Sequence, residues 1–164
     1  MMSANTTILV GDIGGTNCRL ALVRNGQLAR ETITTYADAN YPTLTDAISA
    51  YLCTQAASIS VACLAIAGPV SGDSIKLTNN AWHFSIEQTR KDLNLKALEI
   101  INDFEAVVLA LPHLGGTQLE KIGGGEALAG KPKVALGPGT GYGAAKIIRC
   151  SGNYIALPSE GGHV

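Results

Sequence analysis

Short stretches of this 164-residue chain hold the residue types that phosphate and proton chemistry need. One is Gly11-Asp12-Ile13-Gly14-Gly15-Thr16-Asn17. Glycines without a Cβ let successive backbone N–H groups converge on an anion, forming a nest for phosphate oxygens. Thr16 and Asn17 add polar side chains, and Asp12 stands where a carboxylate approaches the Mg²⁺ that accompanies a nucleotide. A tight hairpin, with glycine serving backbone geometry alone, accounts for the same residues. A second stretch, Gly137-Pro138-Gly139-Thr140-Gly141-Tyr142-Gly143, could cradle the same phosphates from the other side, with the nucleotide clamped between two domains. Between them lies Ile100-Ile101-Asn102-Asp103-Phe104-Glu105-Ala106. Asp103 falls where a buried strand ends and a helix begins, the end of an α/β sheet at which ligands bind. An Asp there commonly caps the helix. The helix N-terminus also favours the ionised carboxylate, which suits acceptance of a proton from a substrate hydroxyl. Both roles stay open at this point.

Other motifs fail on context. Gly125 to Pro132 nearly has P-loop spacing, but Pro132 stands where a Ser or Thr must hold Mg²⁺, and no strand precedes it. Gly139-Thr140-Gly141-Tyr142-Gly143-Ala144 fits the dinucleotide fingerprint, yet a strand and hairpin are expected after it where that fingerprint needs a helix. Glu160-Gly161-Gly162-His163 has the Glu-x-x-His spacing of helical metal sites. The intervening glycines each cost ~1 kcal/mol relative to Ala in a helix, which argues against a metal there.

The elements that must hold these residues can be read from periodicity. Thr7 to Val10 is an apolar run that reads as a central strand ending at the first glycine-rich turn. Cys18–Val23 and Gln27–Tyr36 follow as strands joined at Asn25-Gly26, a two-residue hairpin signal, making an antiparallel meander. Leu44, Ala47, Ile48, Tyr51 and Leu52 mark an amphipathic helix with Pro42 near its first turn. Val61–Ala67 is a buried strand halted by Gly68-Pro69, and Ser85 with Gln88 resembles a capping box opening a helix through Leu93. Ala97–Ile101 is a strand and Phe104–Leu111 a helix directly after it. Val134–Leu136, Ala144–Cys150 and Tyr154–Leu157 complete the strands. The class is mixed α/β. Glycine-rich texture after Pro112 places a domain boundary near residues 113–117, with a small α/β domain over 1–113 and a second over 114–164.

Composition narrows the function classes. Apolar residues form 46% and charged residues 15%, a balance for a well-buried sheet core and against disorder. Twelve basic and thirteen acidic residues are scattered, net −1, so no basic patch offers a nucleic-acid or anionic-membrane surface. Apolar runs are strand-sized, and the first seven residues lack the pattern of a secretory signal. Cys18, Cys53, Cys63 and Cys150 share no CxxC spacing and read as reduced cysteines of a cytoplasmic protein.

Taken in order, Leu9-Val10-Gly11-Asp12-Ile13-Gly14-Gly15-Thr16-Asn17, Thr78-Asn79-Asn80-Ala81-Trp82, Glu99-Ile100-Ile101-Asn102-Asp103-Phe104, Gly137-Pro138-Gly139-Thr140-Gly141 and Leu157-Pro158-Ser159-Glu160-Gly161-Gly162-His163 resemble the bacterial glucokinases. That family lies in the actin–hexokinase–Hsp70 superfamily, and the similarity covers nearly the whole chain. It implies a ribonuclease H-like, actin-like ATPase fold and ATP-dependent phosphorylation of glucose. It further implies that Gly11, Asp12, Ile13, Gly14, Gly15 and Thr16 form a first ATP-phosphate loop, with Asp12 meeting Mg²⁺ through water. Gly137, Gly139, Thr140 and Gly141 form the second loop. Asp103 is implied as the base for the sugar 6-hydroxyl, with Asn102, Glu160 and His163 on the other hydroxyls. Asn79 and Trp82 match a motif lining the sugar pocket, where core packing is an equal account of Trp82. His83 and His113 match nothing functional.

Family members are much longer, so the chain is expected to hold the small domain and a truncated start of the large one, and to be inactive or poorly folded by itself. The adenosine pocket is expected beyond residue 164, and full-length members can be homodimers. The rivals are a related hexose or N-acetylhexosamine kinase, a non-catalytic sugar sensor or repressor, and a superfamily ATPase without a sugar. ROK kinases usually carry a Cys-rich zinc motif, whose spacing is absent here; sensors place a helix-turn-helix ahead of the kinase-like domain, whereas the first strand is expected from about residue 7. Asn102-Asp103 together with Glu160-Gly161-Gly162-His163 disfavours the sugar-free ATPase.

Overall fold

A computed structural model describes residues 7–77, 81–138 and 142–159. The chain divides into two compact units, residues 1–102 and 103–164. The boundary expected at 113/114 falls inside the second unit, because the helix after Asn102 packs with the strands that follow it.

In the first unit β1 (Thr7–Ile13), β2 (Asn17–Arg24) and β3 (Gln27–Ala37) form the antiparallel meander. Asn25 (φ 54°) and Gly26 (φ 78°) make its tight turn, both left-handed as a type I′ hairpin requires. Helix α1 (Leu44–Gln55) leads to β4 (Val61–Ile66). A short hairpin of β5 (Ser74–Lys76) and β6 (His83–Ser85), absent from the sequence reading, leads through α2 (Ile86–Asp92) to β7 (Ala97–Asn102). The sheet runs β3-β2-β1-β4-β7, with β1, β4 and β7 parallel.

Local chemistry sets the helix starts. Thr43 caps α1 by accepting the Asp46 N–H (3.1 Å) and donating its hydroxyl to the Asp46 carboxylate (2.7 Å), so Pro42 lies just outside the helix. Ser85 caps α2 by accepting the Gln88 N–H at 3.0 Å, but the Gln88 side chain reaches Asp92 (2.7 Å), leaving the expected box half formed. Asp73 completes the cap by accepting the Glu87 N–H at 2.8 Å.

The core of this unit alternates as a half-buried sheet predicts: Leu9 and Ile13, Leu20 and Leu22, Leu64 and Ile66 bury against Leu44, Ala47, Ile48 and Tyr51 of α1. Where β3 breaks register against β2, the buried Thr32 hydroxyl accepts the Leu22 N–H (2.9 Å) and donates to the Ala29 carbonyl (2.6 Å). The Tyr51 hydroxyl donates to the Thr32 carbonyl at 3.0 Å, so the bulge is bonded from three sides.

The second unit packs α3 (Asp103–Ala110) on an antiparallel sheet of β8 (Lys133–Pro138), β9 (Tyr142–Cys150) and β10 (Asn153–Ser159), ordered β10-β9-β8. Val108, Ala135, Ala145 and Ile147 form its small core, with Phe104, Leu109, Leu111 and Ala156 against it. Pro158 lies in β10, an outer strand of this sheet among the described residues, the kind of position in which proline is tolerated. Among the described residues no helix is long and apolar enough to cross a membrane.

Candidate functional site

Strand β1 runs three residues past the expected end, and this redraws the first turn. Gly11, Asp12 and Ile13 pair with Leu20, Arg19 and Cys18 on one side and with Leu64, Ala65 and Ile66 on the other. Ile13 is wholly buried, and its carbonyl accepts the Ala67 N–H at 3.0 Å. Gly11 lies on the core face of the strand, where a Cβ would stand 2.7 Å from Leu64 Cδ2 and 2.9 Å from Leu20 Cδ2. Its missing side chain makes room for leucines. Gly14 donates its N–H to the Asn17 carbonyl at 2.9 Å, closing the hairpin, so that amide is engaged within the turn. Gly15 and Thr16 form the tip. The Thr16 carbonyl accepts the Asp38 N–H (3.0 Å), and its Oγ1 accepts from the Asn17 amide (3.1 Å).

The carboxyl ends of the parallel strands come level in one row, Ile13 beside Ile66 and Ile66 beside Asn102. The tip at Gly15-Thr16, the turn at Gly68 and the Asn102 side chain therefore share one edge of the sheet. The Asn102 amide donates to the Gly68 carbonyl at 3.0 Å, which fixes its rotamer. By sequence Gly68 is only a strand stop, and nothing in its spacing marks it as the acceptor that orients Asn102.

Beside the tip lies an open cleft of about 430 Å³ lined by Gly15, Thr16, Asp38, Tyr41, Pro42 and Trp82, among others. Trp82 is 4% exposed; its indole N–H donates to the Tyr41 carbonyl at 3.0 Å, so it is a core residue with one edge on the cleft. Tyr36 meets Tyr41 edge-to-face, ring centres 5.3 Å apart. Spacing does not mark Asp38, Tyr41 and Pro42 as site residues, because their approach to the tip depends on the register of β2 with β3. Burial, aided by the negative charge of Asp38, pushes the Cys18 thiol up to about 11, which keeps it protonated and unreactive.

Asp103 is the first residue of α3, and one of its carboxylate oxygens accepts the Phe104 N–H at 2.9 Å. One oxygen of the carboxylate thus serves the helix start. In the second glycine-rich stretch, β8 extends to Pro138 and β9 begins at Tyr142, with Pro138 paired to Tyr142 and Gly137 to Gly143. Gly137 is therefore a strand residue. Asn79, Gly139, Thr140, Gly141, Glu160 and His163 lie outside the described residues.

Asp12 projects from the face of β1 opposite Gly11 and is exposed. Among the described residues no group of three or more His, Cys, Asp or Glu side chains could hold a metal ion. A lone exposed carboxylate fits Mg²⁺ that keeps most of its waters and binds phosphate oxygens, and fits no all-protein cage.

A model of the glucokinase family matches residues 9–164. The chain belongs to the glucokinase family. The glucokinase of Pectobacterium atrosepticum is 44% identical over 159 residues, covering 96% of this chain and 49% of that protein. The chain spans about half the length of the curated relatives it matches. The crystal structure of a glucokinase from an Antarctic psychrotroph superposes with a TM-score of 0.84 at 38% identity, covering 96% of this chain and 51% of that one. A ROK hexokinase from Thermus thermophilus shares the fold alone, with a TM-score of 0.63 at 17% identity, covering 96% of this chain and 51% of that one. The actin-like ATPase fold expected for a glucokinase is therefore present in mixed α/β form.

Proposed function

We propose that the whole protein transfers the terminal phosphoryl group of ATP to the 6-hydroxyl of glucose, in the cytoplasm, as the first step of glycolysis. The observation that carries this reading is the level row Ile13–Ile66–Asn102. It sets a glycine-threonine tip and a held amide at the carboxyl ends of the parallel strands, where α/β folds bind ligands. Asn102 and, beyond the described residues, Asn79, Glu160 and His163 hold the sugar hydroxyls. The backbone of Gly15 and Thr16 at the tip and, beyond the described residues, that of Gly139, Thr140 and Gly141 offer donors to the phosphates. The Asp103 carboxylate accepts the proton as the sugar oxygen bonds to phosphorus and the bond from phosphorus to the ADP oxygen breaks. Asp12 would hold Mg²⁺, which would supply charge neutralisation on the phosphates. Because the transferring group carries spread negative charge, positioning and electrostatics supply most of the catalysis.

Asp103→Asn tests this in the whole protein. Loss of the base is expected to lower turnover by roughly 10²–10⁴-fold, while the glucose dissociation constant, read by calorimetry, stays within about threefold. An Asp103→Asn protein with near-normal turnover places the base elsewhere. A coupled assay over a hexose panel separates glucose from its neighbours.

A further inference from the structure

The second unit contains an arrangement to which the proposed chemistry assigns no role. Gly137 and Gly143 face each other across the β8–β9 stem that leads into residues 139–141. The Phe104 ring is seated on both. A Cβ built on Gly143 would fall on the ring atoms Cε2, Cζ and Cδ2, and one on Gly137 would fall on Cζ and Cε1. Neither glycine has a left-handed φ, so these positions need an absent side chain, not a special backbone. Phe104 is also the residue after Asp103, and its N–H holds one oxygen of that carboxylate at 2.9 Å.

We propose that Phe104 is a positioning residue, one that fixes the Asp103 carboxylate relative to the strand stem of the second glycine-rich turn. The inference rests on the function proposed above. One end of the residue, the backbone N–H, sets the carboxylate rotamer; the other end, the ring, is seated on the stem. Movement of the ring across the glycines therefore moves the first turn of α3 and the carboxylate with it. Ångström-scale displacements of a reacting group cost about a hundredfold in rate, so the effect is large enough to measure.

The test is Phe104→Leu in the whole protein, which keeps an apolar side chain under α3 but no flat ring. Turnover is expected to fall about tenfold or more, with the acid limb of the kcat/KM pH profile displaced, because that limb reports the base. Glucose affinity stays within about twofold, since ground-state sugar binding does not depend on the carboxylate's final placement. Gly143→Ala presses on the same ring from the opposite side and should produce the same pattern. Combining it with Phe104→Leu, which clears space for the new methyl, should give a loss at least ~3-fold smaller than the product of the two single losses. Should Phe104→Leu fail to fold, Gly143→Ala alone decides by the same readouts. Unchanged turnover and pH profile, with only a lowered Tm, would assign Phe104 to packing and overturn the inference. Asp103→Asn separates the levels: retained turnover there sinks the underlying reading, whereas an inactive Asp103→Asn beside a normal Phe104→Leu sinks this inference alone.

Discussion

Replacing Gly11 by alanine separates two accounts of the same residue. Read as a phosphate cradle, Gly11 should matter to nucleotide affinity. In the fold it lies on the core face of β1, and an added methyl would meet Leu64 Cδ2 at 2.7 Å and Leu20 Cδ2 at 2.9 Å, closer than carbon atoms approach without displacement. Both leucines are wholly buried in the central core, so neither can swing toward solvent. Overpacking of this kind costs about 1–3 kcal/mol. With a urea m-value of about 1.5 kcal/mol/M for a unit of this size, the midpoint should fall by about 0.7–2 M. The measurement is direct, because Trp82 is the chain's single tryptophan and is buried in the same core, so its fluorescence reports the first unit. Gly14→Ala is the control: its methyl would meet only the Asn17 carbonyl oxygen, at 3.3 Å, and a loss under ~1 kcal/mol is expected. A Gly11→Ala midpoint equal to that of the parent chain, accompanied by weakened ATP binding in the whole protein, would refute the packing account and return Gly11 to the ligand.

Two other perturbations follow from the first unit. Thr32→Val removes a hydroxyl that bonds the Leu22 N–H and the Ala29 carbonyl in a buried bulge, and orphaning both should cost about 2–4 kcal/mol in the Trp82-monitored urea titration; a loss under ~0.5 kcal/mol contradicts the bonded bulge. The Arg90 guanidinium, bonded to both Glu87 oxygens at 2.7 and 2.8 Å, holds the Glu87 carboxyl down at about 2 from an ordinary 4.5. A depressed carboxyl stabilises the fold above its unfolded pKa and loses that contribution as pH falls through the folded one. The protection of the α2 amides, taken relative to their intrinsic exchange at each pH, should therefore fall between about pH 4.5 and 2, and Glu87→Gln should abolish that fall while leaving the protection of the α1 amides unchanged.

Much of the fold could be read from periodicity because the signals were local. Asn25-Gly26 dictates its own turn, and Ser85 its own cap, since both act through bonds within a few residues. Strand ends were read less well. The glycines at 11 and 137 looked like loop residues, yet both lie inside ladders, paired with Leu20 and Leu64 in one case and with Gly143 in the other. Strand pairing, with Leu64 far along the chain in one case and across a hairpin in the other, holds a glycine in a ladder where local propensity would assign it to a turn. The hairpin of β5 and β6 leaves no signal in the sequence, because each strand is three residues long, too short for alternation to register.

The candidate site divides along the same line. The location of Asp103 at a strand-to-helix junction follows from its own neighbours, and spacing alone gives it. Spacing does not give residues whose role depends on a distant partner: Gly68 as acceptor for Asn102, or Asp38 tied to Thr16 across the meander. Glycine is ambiguous between the two classes, since the same missing Cβ can open a path for an anion or a place for a side chain. In this chain the ambiguity resolves by position. Glycines at strand interiors, 11 and 137, accommodate Leu20, Leu64 and Phe104. Those at the hairpin end, 14 and 15, sit where a ligand could reach the backbone, at the level of Asn102. Thus a glycine-rich motif is better split by the strand register than scored as one loop, and the two halves call for different experiments: stability for the ladder glycines, nucleotide affinity for those at the tip.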